Sequence, residues 1–371
     1  MDNNIQFIIH YDEIGLKGKN REFFITKLIQ NIRSILGSNF DVRKGTSKII
    51  IIPKKQLKLE NFTLIINKLK FIPGISNIAP AIECKTNMNE ICRTALDLYN
   101  HYNPKTFKIE AVRAHKQFEL TSPQISKQVG GFILKNNKNA KVDVHEPELL
   151  LKIELEKYKT FVLGKKETAI GGMPVGSAGH MLCLLSGGLD SPVAAFEMMK
   201  RGAKVDFVHF HNQTINKAGV ESKIKKLVQE LEKVQGTAKL HLVPFSDLQK
   251  KVIAHVPSDL RMIIYKRLML KLADKLMQEH GYGAMITGDS LAQVASQTLE
   301  NLQVIYQASN KLILSPLIGR NKSEIVEIAK QIGTYEISIE PYEDCCSLMI
   351  GKHPQTRAKL EDVLRVEKLI C

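Results

Sequence analysis

In the C-terminal half of the chain, short apolar runs alternate with amphipathic stretches, and this alternation restricts the fold more than any other feature. The apolar runs are 181–185, 205–210, 239–245, 284–288 and 312–317. Helical patterns follow the first two runs, at 191–202 and 222–234. Strands that each lead into a helix predict a doubly wound parallel sheet. Because ligands bind at the carboxyl ends of such strands, the site is expected in the loops after Leu185, Phe210 and Thr287.

The N-terminal half mixes strands and helices without this strict alternation. An apolar run at 5–11 precedes a helical pattern at 21–36, and Pro73 and Gly74 interrupt the pattern before a second strand, helix and strand over 81–113. These patterns predict two small α+β units. A segment rich in Gly, Pro and Ser separates them from the parallel sheet. The predicted organisation is a domain at 1–75, a domain at 76–166, a linker at 167–180 and a domain at 181–371.

The positive charge is concentrated in the N-terminal half. The chain has 53 Lys and Arg against 38 Asp and Glu, a formal net charge of +15, and residues 1–170 hold 28 basic and 17 acidic side chains of these totals. This surplus favours nucleic acid as a partner, with a generally lysine-rich composition as the alternative explanation. Because Trp is absent and aromatic residues make up only 6%, folded RNA is expected rather than a single strand stacked on aromatic rings.

Several classes of protein do not fit this sequence. It has no run of about 18 apolar residues, and its N-terminus carries acids where a signal peptide has bases, so a soluble cytoplasmic protein without membrane partners is expected. Six cysteines in 371 residues are too few for a disulfide scaffold, and none forms a CxxC pair. His209 and His211 lack a third ligand at suitable spacing, so no protein-held metal centre is predicted.

The sequence Ser-Gly-Gly-Leu-Asp-Ser at 186–191, called here the glycine-rich loop, follows the first strand of the predicted parallel sheet. Adjacent glycines let backbone amides approach phosphate oxygens, and a helix N-terminus adds partial positive charge. The loop lacks both the GxxxxGK[ST] and the GxGxxG patterns. A tight strand-to-helix turn capped by Ser or Asp is the structural alternative. The predicted phosphate contacts are Ser186, Gly187, Gly188, Asp190 and Ser191.

This loop resembles the SGGxDS signature of the PP-loop ATP pyrophosphatases, which split ATP between its α and β phosphates and adenylylate a substrate. Four further segments, at 11–24, 171–179, 288–302 and 332–346, resemble the tRNA 4-thiouridine synthetase family, also called ThiI. The resemblance implies a ferredoxin-like domain, a THUMP RNA-binding domain and a PP-loop domain, with tRNA bound by the basic half. It also implies ATP contacts by Leu184, Leu185, Ser186, His209, Phe210, Lys266, Gly288 and Gln297.

Cys345 and Cys346 stand side by side after two acidic residues. From the residues alone, a buried apolar pair and a reactive persulfide-carrying pair are both open, and neighbouring carboxylates oppose thiolate formation. The family resemblance implies that the sulfur-carrying cysteine lies in this segment. We assign it to Cys346, with Cys345 as the alternate or resolving thiol. Cys183 is expected in the core.

The resemblance further implies an ATP-dependent tRNA sulfurtransferase, in which uridine is adenylylated and then receives persulfide sulfur. Asp190 is expected to orient Mg²⁺-ATP or to stabilise the leaving pyrophosphate. Because the sequence has no rhodanese domain, sulfur is expected from a cysteine desulfurase or another separate donor, and the family's second role in thiamine thiazole synthesis is doubtful. The alternatives are a PP-loop tRNA-modifying ligase with an amine nucleophile and a tRNA-binding protein with a vestigial ATP site.

Three further interpretations concern basic residues and assembly. Lys266 and Arg267 lie on a predicted helix, where they are candidates to face phosphate. Lys17, Lys19 and Arg21 are either solvated charges or contacts to the tRNA backbone. A homodimer is expected only because two-fold assembly is common.

Overall fold

The computed structural model describes residues 4–11, 13–45, 47–55, 57, 59–113, 117–212, 217–341 and 354–370. The chain divides into two compact units, Met1–Met173 and Pro174–Cys371. In the described ranges, no helix is both long enough and apolar enough to cross a membrane.

The first unit is built on one mixed sheet of nine strands in its described residues. The strands are β1 Asn4–His10, β2 Phe40–Lys44, β3 Ile49–Pro53, β4 Asn77–Cys84, β5 Thr106–Arg113, β6 Lys141–Val142, β7 Leu149–Leu155, β8 Thr160–Leu163 and β9 Glu167–Thr168. Their order is β2-β3-β1-β4-β8-β7-β5-β6, with β9 also paired to β4. Since β4 is the antiparallel neighbour of both β1 and β8, the two segments predicted as separate domains, 1–75 and 76–166, contribute strands to one sheet.

The helices of this unit are α1 Arg21–Leu36, α2 Phe62–Leu69, α3 Met88–Tyr102 and α4 Ser122–Asn136, with 3-10 turns at Glu13–Asn20 and Leu59–Asn61. Their starts follow from local chemistry. The Asn87 side chain accepts a hydrogen bond from the Glu90 amide at 2.9 Å at the start of α3, and Thr121 with Gln124 forms a capping box at the start of α4.

The centre of this sheet is apolar on both faces. Successive side chains of a strand point to opposite faces, so neighbouring apolar residues enter different clusters. On β1, Phe7 and Ile9 belong to the large core, whereas Ile8 packs with Ala81 and Phe161 in a smaller cluster. Burial of this strand on both sides explains why its sequence is a nearly continuous apolar run rather than an alternating one.

The second unit is the predicted doubly wound parallel sheet. Its strands are β10 His180–Leu184, β11 Lys204–His211, β12 Leu240–Pro244, β13 Ala284–Ile286 and β14 Ile313–Leu314, in the order β12-β11-β10-β13-β14. All four pairings are parallel. The helices are α5 Asp190–Lys200, α6 Lys217–Gln235, α7 Ser246–His255, α8 Arg261–His280, α9 Leu299–Tyr306, α10 Lys322–Gln331, α11 Tyr335–Ile339 and α12 Leu360–Glu367. The predicted fold class is confirmed.

Candidate functional site

The strand order of the second unit reverses direction between β10 and β13, and a crevice opens at such a switch point outside the carboxyl ends of the strands. A cavity of about 310 Å³, called here the switch-point cavity, lies at this position. It is lined by residues that follow β10 and β13 and by side chains of α8. Its volume lies at the lower end of the roughly 300–1,000 Å³ range of small-molecule sites.

The glycine-rich loop connects β10 to α5 at one wall of this cavity. The Ser191 hydroxyl accepts a hydrogen bond from the Ser186 amide at 2.9 Å and lies 3.1 Å from the Ser186 hydroxyl, which closes the turn. Pro192 is in the first turn of α5, where the missing amide proton disrupts no helical hydrogen bond. Within the described residues no side chain caps the start of α5, so its first-turn N–H groups are available to an anion.

Gly288 allows the end of β13 to approach this helix start. A Cβ added to Gly288 would lie 2.8 Å from the Ser191 nitrogen and 3.0 Å from the Asp190 carbonyl carbon. Both neighbours are backbone atoms, which cannot move aside as the end of a flexible side chain can. Glycine is therefore required here by the close contact of two backbones.

A cluster of polar side chains forms another part of the cavity wall. Lys266 Nζ donates to Asp289 Oδ1 at 2.8 Å, Gln297 Nε2 donates to the same oxygen at 3.1 Å, and the Tyr306 hydroxyl donates to Asp289 Oδ2 at 2.8 Å. Burial opposes ionisation of Asp289, but the Lys266 ammonium and the two neutral donors outweigh it and hold the pKa of the carboxyl below its usual range. Burial and Asp289 raise the pKa of Tyr306, which stays a neutral donor.

Gln297 has one unused hydrogen-bonding atom. Its Oε1 is buried and has no hydrogen-bond partner in the described part of the chain, although its Nε2 is bound to Asp289. A buried acceptor without a donor is costly, so such an atom at a cavity wall fits a ligand that supplies N–H or O–H. The exocyclic amine of adenine and the ribose hydroxyls are donors of this kind.

Apolar side chains form much of the rest of the lining. They include Val208, Met262, Met269, Leu270 and Ile305. A flat heteroaromatic ring fits against such side chains, while charged groups fit the polar wall and the start of α5. The cavity thus has separate environments for a base and for phosphates.

Three family models match consecutive parts of the chain: the ThiI ferredoxin-like domain at residues 6–79, the THUMP domain at 85–163 and the thiamine biosynthesis protein (ThiI) at 176–370. The probable tRNA sulfurtransferase of Caldanaerobacter subterraneus subsp. tengcongensis is 43% identical over 364 residues, which cover 97% of this chain and 94% of the relative. The chain belongs to the ThiI family. The probable tRNA sulfurtransferase of Bacillus subtilis is 39% identical over 372 residues, with 99% and 92% covered.

A solved structure agrees with this membership of the ThiI family. The crystal structure of a 4-thiouridine synthetase–RNA complex with bound ATP matches with a TM-score of 0.90 and 35% identity, over 99% of this chain and 94% of that one. PH1313 from Pyrococcus horikoshii Ot3 matches with a TM-score of 0.67 and 24% identity, a likeness of fold. The family resemblance and the three-part architecture inferred from sequence are confirmed.

The structure brings most of the predicted ThiI-type ATP contacts to the wall of one cavity. These residues are Leu184, Leu185, Ser186, Asp190, Ser191, His209, Phe210, Lys266, Gly288 and Gln297. Gly187 and Gly188 lie between Ser186 and Asp190 in the glycine-rich loop. His209 is buried and its Nδ1 is 2.8 Å from the Leu185 carbonyl oxygen, so this ring is held against the residue that precedes the glycine-rich loop.

Asp190 is oriented by two residues that the sequence reasoning missed. Lys322 Nζ, from the first turn of α10, donates to Asp190 Oδ1 at 2.6 Å, and Gln293 Nε2 donates to Asp190 Oδ2 at 3.1 Å. These partners are more than 100 positions away in the sequence, and no motif signals such contacts. Tyr306 also lines the cavity and was not predicted from the sequence, whereas Asp289 lies in the loop after Thr287, where the sequence predicts the site.

Arg267 does not face phosphate, in contrast to its interpretation as a candidate contact. Its side chain is 1% exposed and forms a buried ion pair with Glu367 of α12, with Nη2 and Oε2 2.9 Å apart. It also donates to the Val304 carbonyl and to Gln307 Oε1. Lys266 and Arg267 are neighbours on α8, so the helix turn directs Lys266 to the cavity and Arg267 into the core.

Replacing Arg267 with Met is expected to lower the free energy of unfolding by about 3–5 kcal/mol at neutral pH, because Glu367 loses its main partner in the interior. Burial raises the pKa of Glu367, but Arg267 and Lys271 outweigh burial and hold it below its usual range. The stability that the ion pair gives the wild type is therefore fully present above the unfolded-state pKa of Glu367, about 4.3. It declines as pH falls through the folded-state pKa of Glu367. Urea unfolding at several pH values measures it.

The matched control is Arg365→Met. Arg365 lies on α12 and pairs with Asp362, but its side chain is 76% exposed, so a change of at most about 0.5 kcal/mol is expected. Equal losses in the two variants would contradict a special role for the buried pair.

The predicted sulfur-carrying residues, Cys345 and Cys346, lie outside the described residues. Cys183 is fully buried in β10, as expected for a core residue, and burial raises the pKa of its thiol. The basic turn of the first unit is described: Lys17 and Lys19 are exposed, whereas Arg21 donates to the Tyr11 hydroxyl at 2.9 Å.

Proposed function

We propose that this protein is an ATP-dependent tRNA sulfurtransferase that converts a uridine of tRNA to 4-thiouridine. The observation that carries the proposal is the switch-point cavity, in which an uncapped helix start, the Gly288 contact and a buried unpartnered acceptor are combined. Membership of the ThiI family and the likeness to a 4-thiouridine synthetase with bound ATP and RNA support it.

ATP fits the two environments of the cavity. The apolar lining accommodates adenine, and Gln297 Oε1 accepts a hydrogen bond from the nucleoside. The triphosphate lies against the glycine-rich loop and the N-terminus of α5, where Lys266 and Lys322 supply positive charge. This arrangement binds phosphates through backbone amides and fixed cations rather than through a Walker loop.

The first step is adenylylation of the target uridine. The O4 oxygen attacks the α-phosphorus of ATP, the bond to the bridging oxygen breaks, and pyrophosphate leaves. The first-turn amides of α5 and the two lysines stabilise the charge that develops on the leaving group. Activation is needed because a carbonyl oxygen is a poor leaving group, whereas AMP is a good one.

Mg²⁺ fits this step as the cation that binds together with ATP. It is usually held by one or two carboxylates together with substrate phosphates, and Asp190 presents a carboxylate within the glycine-rich loop. When bound, the ion neutralises phosphate charge. Lys322 and Gln293 hold the Asp190 carboxylate in a fixed orientation.

The second step is sulfur transfer, for which we assign Cys346 as carrier. The terminal sulfur of its persulfide attacks C4, and AMP leaves with the O4 oxygen. Cys345 then attacks the Cys346 sulfur of the resulting C4–S–S linkage, so that thiouridine is released and a Cys345–Cys346 disulfide remains for an external reductant. A cysteine desulfurase, as separate donor, would restore the persulfide.

The described cysteines support this assignment by their environments. Burial raises the pKa of Cys84 to about 11 and raises the pKa of Cys92 and Cys183 as well. Thiolate is the reactive form of cysteine, so these three thiols are unsuited to carry sulfur.

tRNA is proposed to bind through the first unit. Residues 1–170 carry the larger part of the positive surplus, and Lys17 and Lys19 are exposed in the 3-10 turn before α1. Such side chains contact phosphates without reading bases. The mixed sheet supplies the rigid support for this surface.

The testing experiment combines purified protein with unmodified tRNA, Mg-ATP and a cysteine desulfurase with cysteine. Pyrophosphate release and the near-ultraviolet absorbance of thiolated uridine are followed together. Both signals are expected, each dependent on ATP and tRNA. Pyrophosphate release without thiolated uridine, even with added sulfide, would point to another nucleophile; neither signal with intact tRNA binding would point to a vestigial ATP site.

Replacing Lys266 with Met is expected to raise the KM for ATP by about 10- to 100-fold, because losing a charge-assisted hydrogen bond costs about 1.5–3 kcal/mol and leaves Asp289 facing the phosphates. Initial rates of pyrophosphate release at varied ATP measure the effect. Lys275→Met is the control, since Lys275 lies on the same helix but is exposed. An unchanged KM for ATP in the Lys266 variant would remove this residue from the nucleotide site.

A further inference from the structure

The side-chain amide of Gln297 lies in the wall of the switch-point cavity, with its two ends in different surroundings. Its Nε2 donates to Asp289 Oδ1 at 3.1 Å, whereas its Oε1 is buried and has no hydrogen-bond partner within the described ranges. The two ends of an amide have nearly the same shape but opposite hydrogen-bonding character. The end that faces a ligand is therefore decided by the chemistry of the neighbour that holds the other end.

That neighbour, the Asp289 carboxylate, can only accept hydrogen bonds. Burial raises the pKa of this carboxyl, but Lys266 and the neutral donors outweigh burial and hold it below its usual range, so the group is ionised. Its Oδ1 accepts from both Lys266 and Gln297. Turning the Gln297 amide over would bring Oε1 against Oδ1, two acceptors with no proton between them. Asp289 therefore holds the nitrogen of Gln297 and leaves the oxygen for the cavity.

The Asp289 carboxylate is itself held in place by hydroxyl groups from three elements. Its Oδ2 accepts from the Tyr306 hydroxyl, at the end of α9, at 2.8 Å. That hydroxyl lies 2.7 Å from Oγ of Ser315, which follows β14, and Ser315 Oγ lies 2.9 Å from Oγ1 of Thr287, which follows β13. Since Asp289 is only 6% exposed, these contacts fix the orientation of its carboxylate before any nucleotide enters.

The backbone of Gln297 is fixed as well. Its amide donates to the Val294 carbonyl at 2.8 Å, and its carbonyl accepts from the Ala292 amide at 2.9 Å, which closes the turn that carries the side chain. Gln297 is as buried as Asp289. Because the backbone and the side-chain nitrogen are both held, Oε1 stays at one place on the cavity wall.

We propose that Asp289 determines nucleotide specificity: it fixes the Gln297 amide with its oxygen toward the switch-point cavity, so that the site selects a nucleoside that donates a hydrogen bond there. The inference rests on the proposed function, in which ATP occupies this cavity. A nucleotide that offers no donor at this position leaves a buried acceptor unpaired and is rejected. Because Asp289 acts through Gln297, it is a positioning residue in this role.

Two parts of ATP carry donors of this kind, the exocyclic amine of adenine and the hydroxyls of the ribose. ITP has a carbonyl oxygen in place of the amine, and 2′-deoxy-ATP and 3′-deoxy-ATP each lack one hydroxyl. The wild type is expected to use ATP about 10- to 100-fold better than the nucleotide without the recognised donor, the effect of one buried hydrogen bond. The rejected nucleotide identifies the donor.

The test measures kcat/KM for pyrophosphate release with each of the four nucleotides, using the full chain, unmodified tRNA and Mg²⁺. The preference is the ratio of kcat/KM for ATP to that for the rejected nucleotide, so a partly unfolded sample does not change it. Asp289→Ala removes the acceptor that holds the Gln297 nitrogen. Because the amide is then able to turn and present either end, this variant is expected to lose the preference.

Asp289→Asn is the conservative variant. Because the Lys266 ammonium only donates, the oxygen of the new amide must face Lys266 and Gln297. Its nitrogen then donates to the Tyr306 oxygen, whose proton turns to Ser315. The Gln297 nitrogen keeps its acceptor, so the preference for ATP is expected to be retained although the negative charge is lost.

Two further variants complete the test. Gln297→Met removes the acceptor itself and is expected to abolish the preference, which keeps the proposal testable if Asp289→Ala does not fold. Tyr306→Phe is the matched control within the cluster: it removes another donor to the same carboxylate but leaves the contact between Asp289 Oδ1 and Gln297, so the preference is expected to remain. Thermal unfolding checks that each variant is folded.

The inference is overturned if Asp289→Asn and Tyr306→Phe lose the preference together with Asp289→Ala, because the cluster would then merely support the cavity. An unchanged preference in Asp289→Ala or Gln297→Met also overturns it. A wild type that uses all four nucleotides equally rejects the inference but leaves the proposed function in place, since ATP still yields pyrophosphate. A wild type that releases no pyrophosphate from ATP with tRNA contradicts the proposed function, and with it the basis of this inference.

Discussion

Cys346→Ala is expected to abolish formation of 4-thiouridine, by at least about a thousandfold, while ATP-dependent pyrophosphate release persists for one turnover per tRNA. In the proposed mechanism the two steps use different groups: cavity residues activate the base, and a thiol delivers sulfur. Without the thiol, the adenylylated tRNA still forms, but no sulfur attacks its activated carbon. Rapid-quench measurement of pyrophosphate and nucleoside analysis of the recovered tRNA report each step separately.

The controls for this prediction are two other cysteines. Cys84→Ala is expected to retain thiolation, because burial holds the pKa of the Cys84 thiol at about 11 and keeps it protonated. Cys345→Ala is expected to complete sulfur transfer only when an external thiol cleaves the C4–S–S linkage. A Cys345 variant that is inactive with any reductant, beside an active Cys346 variant, would exchange the roles of the two residues.

Much of the second unit could be predicted because its alternating apolar and amphipathic runs are those that a parallel sheet with helices on both faces requires. Strands buried on both faces are continuous apolar runs, and the chain order of a parallel sheet places the loops after β10 and β13 at one edge. The glycine-rich loop and Gly288 therefore could be expected near each other before their distance was known. A glycine in either place is visible in the sequence, and it indicates a backbone that another group approaches closely.

Partners that depend on tertiary packing could not be predicted. A run of apolar residues indicates that a strand is buried but not which strand lies beside it, so the pairing of β1 with β4 is not visible in the sequence. The same limit applies to charges. Lys266 and Arg267 are adjacent and similar, yet one faces Asp289 in the cavity and the other Glu367 in the core. Helical phase, set by the packing of α8, separates them.

Gly288→Ala is expected to reduce ATP-dependent pyrophosphate release by about 100-fold or more, since displacement of reacting groups by about 1 Å has effects of this size. The added methyl group would lie 2.8 Å from the Ser191 nitrogen, so β13 and the start of α5 must separate. Separation moves Asp289 and Lys266 away from the helix N-terminus that we propose holds the triphosphate. ATP affinity, measured with a fluorescent ATP analogue, is expected to fall together with activity.

The matched control is Gly319→Ala. Gly319 lies in the same unit, and a Cβ there has no atom within 4 Å, so both ATP binding and stability are expected to remain those of wild type. General unfolding of Gly288→Ala would appear as a lost thermal transition, whereas the predicted local defect leaves the transition and removes the nucleotide signal. If Gly288→Ala binds ATP as wild type does, the two backbones are not in the close contact described, and the triphosphate must lie elsewhere than between β13 and α5. Retained binding with lost pyrophosphate release would instead assign Gly288 to the alignment of ATP with the base, a role that the same contact explains.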